Sequence, residues 1–306
     1  MKKTCGYVAL LGLPNAGKST LLNACIGQKI AGVSRKPQTT RNQILGILTQ
    51  DDAQLLFIDT PGLQKKNPGL SLMGRMMNQQ AWTSLNQADC CGYLVDVTKG
   101  FSEEDLVFFS QVGKQIHCPV FLLLSKVDKV KTSEVELRLK EAKEILQQHG
   151  LESKVSIYLI SSKRKESLEP FLEKVRSLLP EGPWLFPEDD LTDRPTSFVV
   201  QEYIREQVFR NLGQELPYTT SVLVEKMEET ERMFRIFCTI YTNRESHQSM
   251  IVGQGGSMIK KIGSEARLNI ETFLDKKVFL DLRVKTKLNW VESSAHIEEL
   301  LELTVG

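Results

Sequence analysis

A glycine-rich octapeptide constrains this chain more than any other feature of its sequence. Residues 6–12 form an apolar run typical of a buried strand, and Gly-Leu-Pro-Asn-Ala-Gly-Lys-Ser occupies 12–19 before a helix-like segment. In that strand–loop–helix order, glycines let the backbone curl so that successive N–H groups point at phosphate oxygens. The N-terminus of the helix adds partial positive charge. The pattern therefore predicts a phosphate-binding loop.

Two side chains carry the charge chemistry of this loop. The Lys18 ammonium would neutralise the β- and γ-phosphates of a nucleotide, and the Ser19 hydroxyl would ligate Mg²⁺. The other predicted nucleotide contacts in the loop are Gly12, Leu13, Pro14, Asn15, Ala16 and Gly17.

A second strand-like run, at residues 54–58, ends in Asp-Thr-Pro-Gly. The Asp59 carboxylate is placed to hold Mg²⁺ through water, and the backbone N–H of Gly62 is placed to reach the γ-phosphate. Asp-x-x-Gly alone is a common turn, but its position after the phosphate loop makes it informative. The predicted nucleotide contacts of this element are Asp59, Thr60, Pro61, Gly62 and Leu63.

Two later strand-like runs end in residues suited to reading a base. Asp128 follows the run at 120–124, and its carboxylate can accept hydrogen bonds from N1–H and the 2-amino group of guanine, which adenine lacks. The aliphatic stem of Lys126 could lie against the ring. Two serines after the run at 155–160 suit a backbone donor for guanine O6. The predicted contacts are Ser125, Lys126, Val127, Asp128, Ser161 and Ser162.

Composition excludes several classes of protein. With 306 residues, 41% of them hydrophobic, the chain can bury a core and is expected to form about two domains. Its apolar runs are too short for a membrane span, and its first residues lack the pattern of a signal peptide, so we expect a cytoplasmic protein. Six scattered cysteines and four histidines show no metal-ligand spacing.

The second half of the chain carries a local basic patch. Residues 181–196 are rich in proline and acids, which predicts a linker between a domain at 1–180 and another at 197–306. The later region is acidic overall, but residues 253–290 are basic. From charge alone, a polyanion footprint and a solvated helix face explain this patch equally well.

The residues around this patch favour a nucleic-acid-binding fold. The patterns predict a helix at 197–211, strands at 221–227, 234–241 and 277–285, and a strand at 250–252 that leads into Gly-Gln-Gly-Gly. Gly-x-x-Gly alone is an ordinary turn, but with a basic amphipathic helix after it the pattern is typical of a KH domain, which clamps about four nucleotides. The predicted RNA contacts are Gly253, Gln254, Gly255, Gly256, Lys260, Lys261, Arg267 and Lys285.

Taken together, the motifs resemble those of the translation-factor-related GTPases. The stretch Gly-Leu-Pro-Asn-Ala-Gly-Lys-Ser-Thr-Leu-Leu-Asn narrows the resemblance to the group containing Era, Der and the tRNA-modifying GTPase. Residues 34–41 closely resemble the switch I sequence of the Era family, and residues 215–222 also resemble that family. The resemblance implies an α/β, Ras-like P-loop GTPase domain with a doubly wound, mostly parallel sheet, followed by an α+β type II KH domain with a C-terminal helix.

The same resemblance implies roles in GTP hydrolysis. Thr40 is expected to close onto Mg²⁺ and the γ-phosphate only when GTP is bound. Many members with asparagine at the Asn15 position bind K⁺ beside the phosphates, so K⁺ is expected to accelerate hydrolysis. Leu63 stands where many Ras-like enzymes carry a glutamine, so hydrolysis is expected to be slow. The implied catalytic residues are Asn15, Lys18, Thr40 and Gly62, and the implied metal ligands are Ser19, Thr40 and Asp59.

Two positions depart from the pattern of the family. Ser125 replaces the asparagine of Asn-Lys-x-Asp, which ties the phosphate loop to this segment and contacts guanine N7. The weakened hydrogen bond is expected to lower nucleotide affinity by about 1–2 kcal/mol, and Ser125→Asn to restore it. Gln254 stands where a lysine is common, which removes one phosphate contact.

The resemblance also implies a function. A GTP/GDP switch would bind the 3′ end of 16S ribosomal RNA and assist maturation of the 30S subunit. By ordering residues 28–42 and 63–80, GTP would set the angle between the domains and control RNA access. We expect a monomer that does not bind DNA. The family resemblance also implies weak peripheral association at the inner face of the cell membrane.

Two other functions stay open on the sequence. An RNA-binding assembly factor that holds guanine nucleotide with little turnover is consistent with Leu63 and Ser125. A P-loop kinase or ATPase is disfavoured by Asp128 and by the Asp-Thr-Pro-Gly element.

Overall fold

The computed structural model describes residues 2–34, 36, 39–63, 71–112, 114–213 and 216–293. Two compact units make up the chain: the first consists of Met1–Gln28, Gln43–Leu70 and Gly74–Asp193, and the second of Lys29–Asn42, Ser71–Met73 and Arg194–Gly306. The predicted first domain differs from the first unit, because residues 29–42 are grouped with the second. The expected C-terminal helix after residue 293 and residues 64–70 of the expected switch II lie outside the described residues.

The first unit contains a six-stranded sheet in the order β2-β3-β1-β4-β5-β6, parallel except for the β2–β3 pair. Its central strands are buried on both faces, so they are continuous apolar runs rather than alternating ones. The strands are β1 (Thr4–Gly12), β2 (Ile44–Gln50), β3 (Ala53–Asp59), β4 (Cys90–Asp96), β5 (Val120–Ser125) and β6 (Val155–Ile160).

Helices α1 to α5 lie in the part of the chain that forms this sheet. One face of the sheet packs against α2, α3 and α4, where Tyr93 stacks on Phe108 with 3.8 Å between ring centroids. Because the strands are parallel, their carboxyl ends meet at one edge, where the loops with the predicted site residues begin. The helices are α1 (Lys18–Ile26), α2 (Leu72–Asn86), α3 (Glu103–Gln111), α4 (Thr132–Gln148) and α5 (Glu169–Arg176).

The segment predicted as a linker is partly a strap along the sheet of the first unit. The backbone N–H of Ile47 donates to the Leu191 carbonyl at 2.9 Å, next to an isolated bridge at the edge strand β2. The fully buried Gln54 amide accepts from the N–H groups of Leu185 and Phe186 and donates to the Phe186 carbonyl. The strap therefore covers an edge that would otherwise present unpaired backbone groups.

The second unit contains the three-stranded sheet β7-β8-β9, in which β7 and β8 are antiparallel and β8 and β9 are parallel. Three helices pack on one face through a core that includes Ile204, Ile236 and Ile262. The elements are α6 (Thr196–Asn211), β7 (Thr220–Glu229), β8 (Met233–Thr242), α7 (Glu245–Val252), α8 (Ser257–Leu274) and β9 (Lys277–Thr286).

One predicted element of this unit is wrong. Residues 250–252 end the helix α7 instead of forming a strand before Gly253. A parallel pair such as β8–β9 requires a crossover connection, and the helices α7 and α8 provide it. Ile251 is fully buried on the inner face of α7, so its apolar run is a helix face. Among the residues that the structure describes, no helix has both the length and the apolar character needed to cross a membrane.

Candidate nucleotide and RNA sites

The phosphate loop lies between β1 and α1 and departs from ordinary backbone conformations. Gly12, Asn15 and Gly17 have φ values of 137°, 66° and 110°. A Cβ atom at Gly12 would lie 2.5 Å from the Leu94 carbonyl oxygen on the adjacent strand, so only glycine fits there. Turns that bring successive N–H groups to one side form a concave anion-binding surface. The loop therefore has the shape that the sequence predicts.

Lys18 is buried against the carbonyl side of this loop. Its Nζ donates to the carbonyl oxygens of Gly12 and Leu13, at 2.9 and 3.1 Å. Burial lowers the pKa of Lys18 to about 8; Asp59 opposes this shift and the positive charge of Lys126 adds to it. Lys18 is thus a cation with little access to water, and an anion in the loop would stabilise its charged form.

An alcohol and a carboxylate meet beside the loop. The Ser19 hydroxyl donates to Asp59 Oδ2 at 2.6 Å, and Asp59 is fully buried at the end of β3. Oxygen donors of these two kinds are the ligands that Mg²⁺ prefers, so the residues present fit this ion.

The Asp-Thr-Pro-Gly turn lies directly against the phosphate loop. The Thr60 hydroxyl donates to the Leu10 carbonyl at 2.8 Å, and the Leu63 N–H donates to the Gly12 carbonyl at 3.2 Å. A Cβ atom at Gly62 would lie 2.7 Å from the backbone of Pro14, so glycine is required there too. Pro61 lies between these contacts in the turn. The structure thus brings together the residues predicted from two separate motifs.

The residues at the end of β5 also form hydrogen bonds to the phosphate loop. Ser125 Oγ lies 2.6 Å from the Ala16 carbonyl oxygen, and Lys126 Nζ lies 2.5 Å from the Asn15 carbonyl oxygen. Lys126 adopts a left-handed conformation with φ 63°, while the side chain of Val127 packs against the core. The serine therefore keeps the contact with the loop that the family pattern assigns to asparagine.

Asp128 is held as an ionised acceptor. Its Oδ1 accepts from Ser161 Oγ at 2.8 Å, and its Oδ2 lies 3.2 Å from Lys163 Nζ. Burial raises the pKa of Asp128, but the hydrogen bonds from Ser161 and Lys163 outweigh it and lower the pKa below its ordinary value. The Ser161 N–H donates to Ser167 Oγ at 2.9 Å, which leaves the N–H of Ser162 as the predicted donor to guanine O6.

Thr40 lies in the second unit, where helix α6 and the start of β7 hold its neighbours. Arg205 of α6 donates to the Thr39 carbonyl. The buried Arg41 guanidinium donates to the carbonyls of Thr220 and Pro217, at 2.7 and 2.5 Å. Burial lowers the pKa of Arg41 to about 9, and the charge of Arg205 adds to this shift.

Sequence reasoning missed these arginines. A signal was present, because α6 carries Glu202, Arg205 and Glu206 among its apolar residues and all three are buried. Charged side chains on the buried face of a helix require hydrogen-bonding or ionic partners. Here the Glu206 carboxylate accepts from the Val33 N–H at 3.2 Å and pairs with Lys29 at 2.6 Å.

The second unit also carries a groove beside the Gly-x-x-Gly loop. Gly253, Gly255 and Gly256 all have positive φ, and a Cβ atom at Gly253 would lie 2.8 Å from Met258 Cβ. Gln254 lies in the short turn between them. A cavity of about 270 Å³ opens between α8 and β9, lined by Ile259, Lys260, Gly263, Ser264, Arg267, Leu280 and Leu282.

The groove contains some of the predicted RNA contacts and not others. Lys260 and Arg267 line it, whereas Lys261 is exposed on α8 and is not part of its lining. Lys285 lies on the opposite face of β9 from Leu282, because side chains alternate along a strand, and it pairs with Glu225 at 3.2 Å.

Comparison with known proteins connects these sites to one family. The model of the 50S ribosome-binding GTPase family matches residues 7–126, and that of the KH domain matches residues 215–291. GTPase Era of Nitratidesulfovibrio vulgaris is 40% identical over 97% of this chain and 96% of its own length. The chain belongs to the GTPase Era family. GTPase Era of Coxiella burnetii is 38% identical over 98% of this chain and 99% of its own length.

Solved structures of this family confirm the predicted fold class. A variant of Aquifex aeolicus Era bound to GDP and AlF₄⁻ is 30% identical and superposes with a TM-score of 0.89, covering 98% of this chain and 99% of that one. A structure of Era in complex with MgGDPNP and nucleotides 1506–1542 of 16S ribosomal RNA is 31% identical with the same coverage and a TM-score of 0.90. This member of the Era family is a GTPase with a C-terminal KH domain, as its motifs predicted.

The buried Lys18 predicts how nucleotide affinity depends on pH. Its pKa is about 8 in the free protein, and bound phosphates would raise it, so binding takes up a proton above that pH. GDP affinity is therefore expected to be constant below about pH 8 and to fall by up to about tenfold per unit above it. Titration of fluorescent GDP between about pH 7 and about pH 9 measures this slope.

Lys18→Arg is the control, because its guanidinium stays protonated over the whole range. This variant is expected to lose the slope, whatever its absolute affinity. An unchanged slope would assign the effect to another group, such as N1 of guanine.

Proposed function

We propose that this chain is a slowly GTP-hydrolysing switch protein that binds the 3′ end of 16S ribosomal RNA and assists maturation of the 30S subunit. The observation that carries the proposal is the combination, in one chain, of an ordered phosphate loop with an Asp128 acceptor and a basic groove beside Gly-x-x-Gly. The relative solved with MgGDPNP and 16S ribosomal RNA supports it, because its fold covers 98% of this chain.

In the proposed nucleotide site, Lys18 contacts the β- and γ-phosphates and Gly62 donates its N–H to the γ-phosphate. Ser19, Thr40 and Asp59 would hold Mg²⁺, which supplies positive charge at the phosphates when it is bound. The contact between Ser19 and Asp59 supports this ligand set. Thr40 would join it only in the GTP state.

Asp128 is the proposed guanine reader. Its lowered pKa keeps it an acceptor for N1–H and the 2-amino group, and Ser162 would donate to O6. Ser125 has no amide to donate to guanine N7. Its single hydroxyl proton is directed at the backbone carbonyls of Ala16 and Val95. This supports selectivity for guanine with reduced affinity, which Ser125→Asn is expected to raise.

A second candidate function is an RNA-binding assembly factor that holds guanine nucleotide with little turnover. Leu63 favours it, because this side chain packs against the core and cannot orient water. Single-turnover hydrolysis distinguishes the two functions.

We propose that K⁺ binds beside the phosphates at Asn15 and accelerates hydrolysis. Asn15 lies in the phosphate loop, where its φ is 66°. Hydrolysis is expected to be several-fold faster in KCl than in NaCl, because a cation there supplies charge to the transition state. Phosphate release measured in the two salts tests this.

Asn15→Gly is the control for the K⁺ proposal, because glycine adopts the same φ without a carboxamide. Its rates are expected to be the same in both salts. Equal rates in the wild-type protein would contradict the proposal.

The groove between α8 and β9 is the proposed RNA site. Lys260 and Arg267 place two cations on the α8 side of the groove, and Leu280 and Leu282 form its apolar β9 side. Phosphates of a single strand would meet the cations, and unstacked bases would pack against the apolar side. The close approach that Gly253 allows is consistent with a backbone clamp at the loop.

Substitutions on one helix test this groove. Lys260→Ala and Arg267→Ala are each expected to weaken binding of an RNA with the 3′-terminal sequence of 16S by about three- to tenfold and to reduce the salt dependence by about one counterion. Fluorescence anisotropy at several salt concentrations measures both quantities.

Lys261→Ala is the matched control, since it removes the same charge from the same helix outside the groove. Its effect is expected to be less than about twofold. If all the substitutions weaken binding equally, the contact is the helix surface and not the groove.

We also propose that residues 29–42 couple nucleotide state to RNA binding. Thr40, the proposed Mg²⁺ ligand, lies between two residues held by the RNA-binding unit: Thr39 through Arg205, and Arg41 through the Pro217 and Thr220 carbonyls. A movement of Thr40 towards the nucleotide would alter these buried contacts. The energy of nucleotide binding would thereby reach the second unit.

Arg41→Lys tests this coupling, because lysine keeps the charge but cannot donate to two carbonyls through a planar fork. The ratio of RNA affinities with a non-hydrolysable GTP analogue and with GDP is expected to fall towards one. Arg164→Lys, an exposed change in the first unit, is expected to keep the wild-type ratio.

Two outcomes count against the coupling. Equal RNA affinities in both nucleotide states of the wild-type protein would exclude coupling altogether. A wild-type ratio retained in Arg41→Lys would exclude Arg41 from it.

For partners and location, we propose a cytoplasmic monomer with weak peripheral association at the inner face of the membrane. The family resemblance supports this, and no patch of the described residues adds to it. Light scattering and cell fractionation are the corresponding tests.

A further inference from the structure

Position 125 leaves the phosphate loop with a weaker anchor than the family pattern provides. An asparagine there has two N–H donors, whereas serine has one hydroxyl proton. Ser125 Oγ lies near two carbonyl oxygens, at 2.6 Å from Ala16 and 3.1 Å from Val95. Its single proton is shared between two acceptors, whereas an amide would offer a separate N–H to each.

The adjacent Lys126 provides a second anchor one residue earlier in the loop. Its Nζ donates to the Asn15 carbonyl at 2.5 Å and to Asp96 Oδ2 at 2.5 Å. The Lys126 side chain lies over the loop, with its Cε 3.8 Å from where a Cβ atom at Gly17 would be. A flexible four-carbon side chain needs a fixed partner to stay there, because ordering it costs rotamer entropy.

Asp96 is built to be that fixed partner. It ends β4 directly beside Ser125 in the parallel register, and its side chain is 6% exposed. Its Oδ1 accepts from the N–H and the hydroxyl of Thr98, at 3.0 and 2.7 Å, so only Oδ2 faces Lys126. Burial raises the pKa of Asp96, but the hydrogen bonds from Lys126 and Thr98 outweigh it and keep the carboxylate ionised.

We infer that Asp96 is a positioning residue for the nucleotide site: it holds Lys126 on the Asn15 carbonyl, and this tie replaces anchoring that an asparagine at position 125 would supply. Asp96 does not touch the nucleotide and acts only through Lys126. The inference rests on the proposed nucleotide site and adds to it a dependence between positions 96 and 125. A merely structural ion pair would show no such dependence.

A double-mutant cycle tests the inference. The dissociation rate of fluorescent GDP is measured for the wild-type protein, Asp96→Asn, Ser125→Asn and the double variant. Asp96→Asn leaves the Lys126 ammonium without its counter-charge and is expected to speed dissociation about tenfold. In the Ser125→Asn background the same change is expected to cost less than about threefold, because the amide then anchors the loop.

Two further variants complete the test: a milder change at the same contact and a control at another ion pair. Thr98→Val removes one hydrogen bond to Asp96 at an exposed position and is expected to raise the rate by about threefold, even if Asp96→Asn does not fold. Glu169→Gln removes another ion pair of the same unit, with Arg176, and is expected to leave the rate unchanged.

Asp128→Asn separates this inference from the proposed site. If the wild-type protein prefers GTP to ATP and Asp128→Asn shifts that preference to XTP, the guanine reader is correct. Equal effects of Asp96→Asn in both backgrounds, or no effect in either, would then overturn the positioning role. Absence of any guanine preference in the wild-type protein would overturn the nucleotide site itself.

Discussion

The nucleotide site of this protein depends on the hydrogen bonds that the backbone carbonyl groups of the phosphate loop accept. A loop that turns its N–H groups inward to bind an anion must turn its carbonyl oxygens away, and each buried carbonyl without a donor costs about 1–3 kcal/mol. Three side chains supply these donors from α1 and from the end of β5. They are Lys18 to Gly12 and Leu13, Ser125 to Ala16, and Lys126 to Asn15. These donors therefore stabilise the shape of the anion site.

The second unit has a comparable constraint in helix α6. Three charged residues of this helix, Glu202, Arg205 and Glu206, are buried, so their hydrogen-bonding groups need partners within the protein. Residues 29–42 provide several, including the Thr39 carbonyl for Arg205 and the Val33 N–H for Glu206. Thr40 and its neighbours Thr39, Arg41 and Asn42 are thus buried in the RNA-binding unit. The proposed coupling between nucleotide state and RNA binding rests on these contacts within the second unit.

Local patterns predicted most strands because a buried strand is a continuous apolar run, and they predicted the loops because glycine and proline restrict the backbone. They failed where a distant partner decides the structure. Residues 250–252 form a helix because the parallel pairing of β8 and β9 requires a crossover. Residues 185–191 contact the sheet through Gln54 of β3 and Ile47 of the edge strand β2, and no local pattern contains these contacts. The role of Lys285 differs because it lies on the other face of β9 from the groove.

The sequence by itself determined the family and the fold class, and it predicted the residues that we propose lie around the phosphates and the base. It could do so because those residues must have particular chemistry at fixed spacings within short segments. Only the tertiary structure decided which of the predicted RNA contacts line the groove, which unit holds Thr40 and that Lys126 donates to both Asp96 and the Asn15 carbonyl. These outcomes depend on hydrogen bonds and burial between residues far apart in the chain, and spacing along the sequence does not encode them.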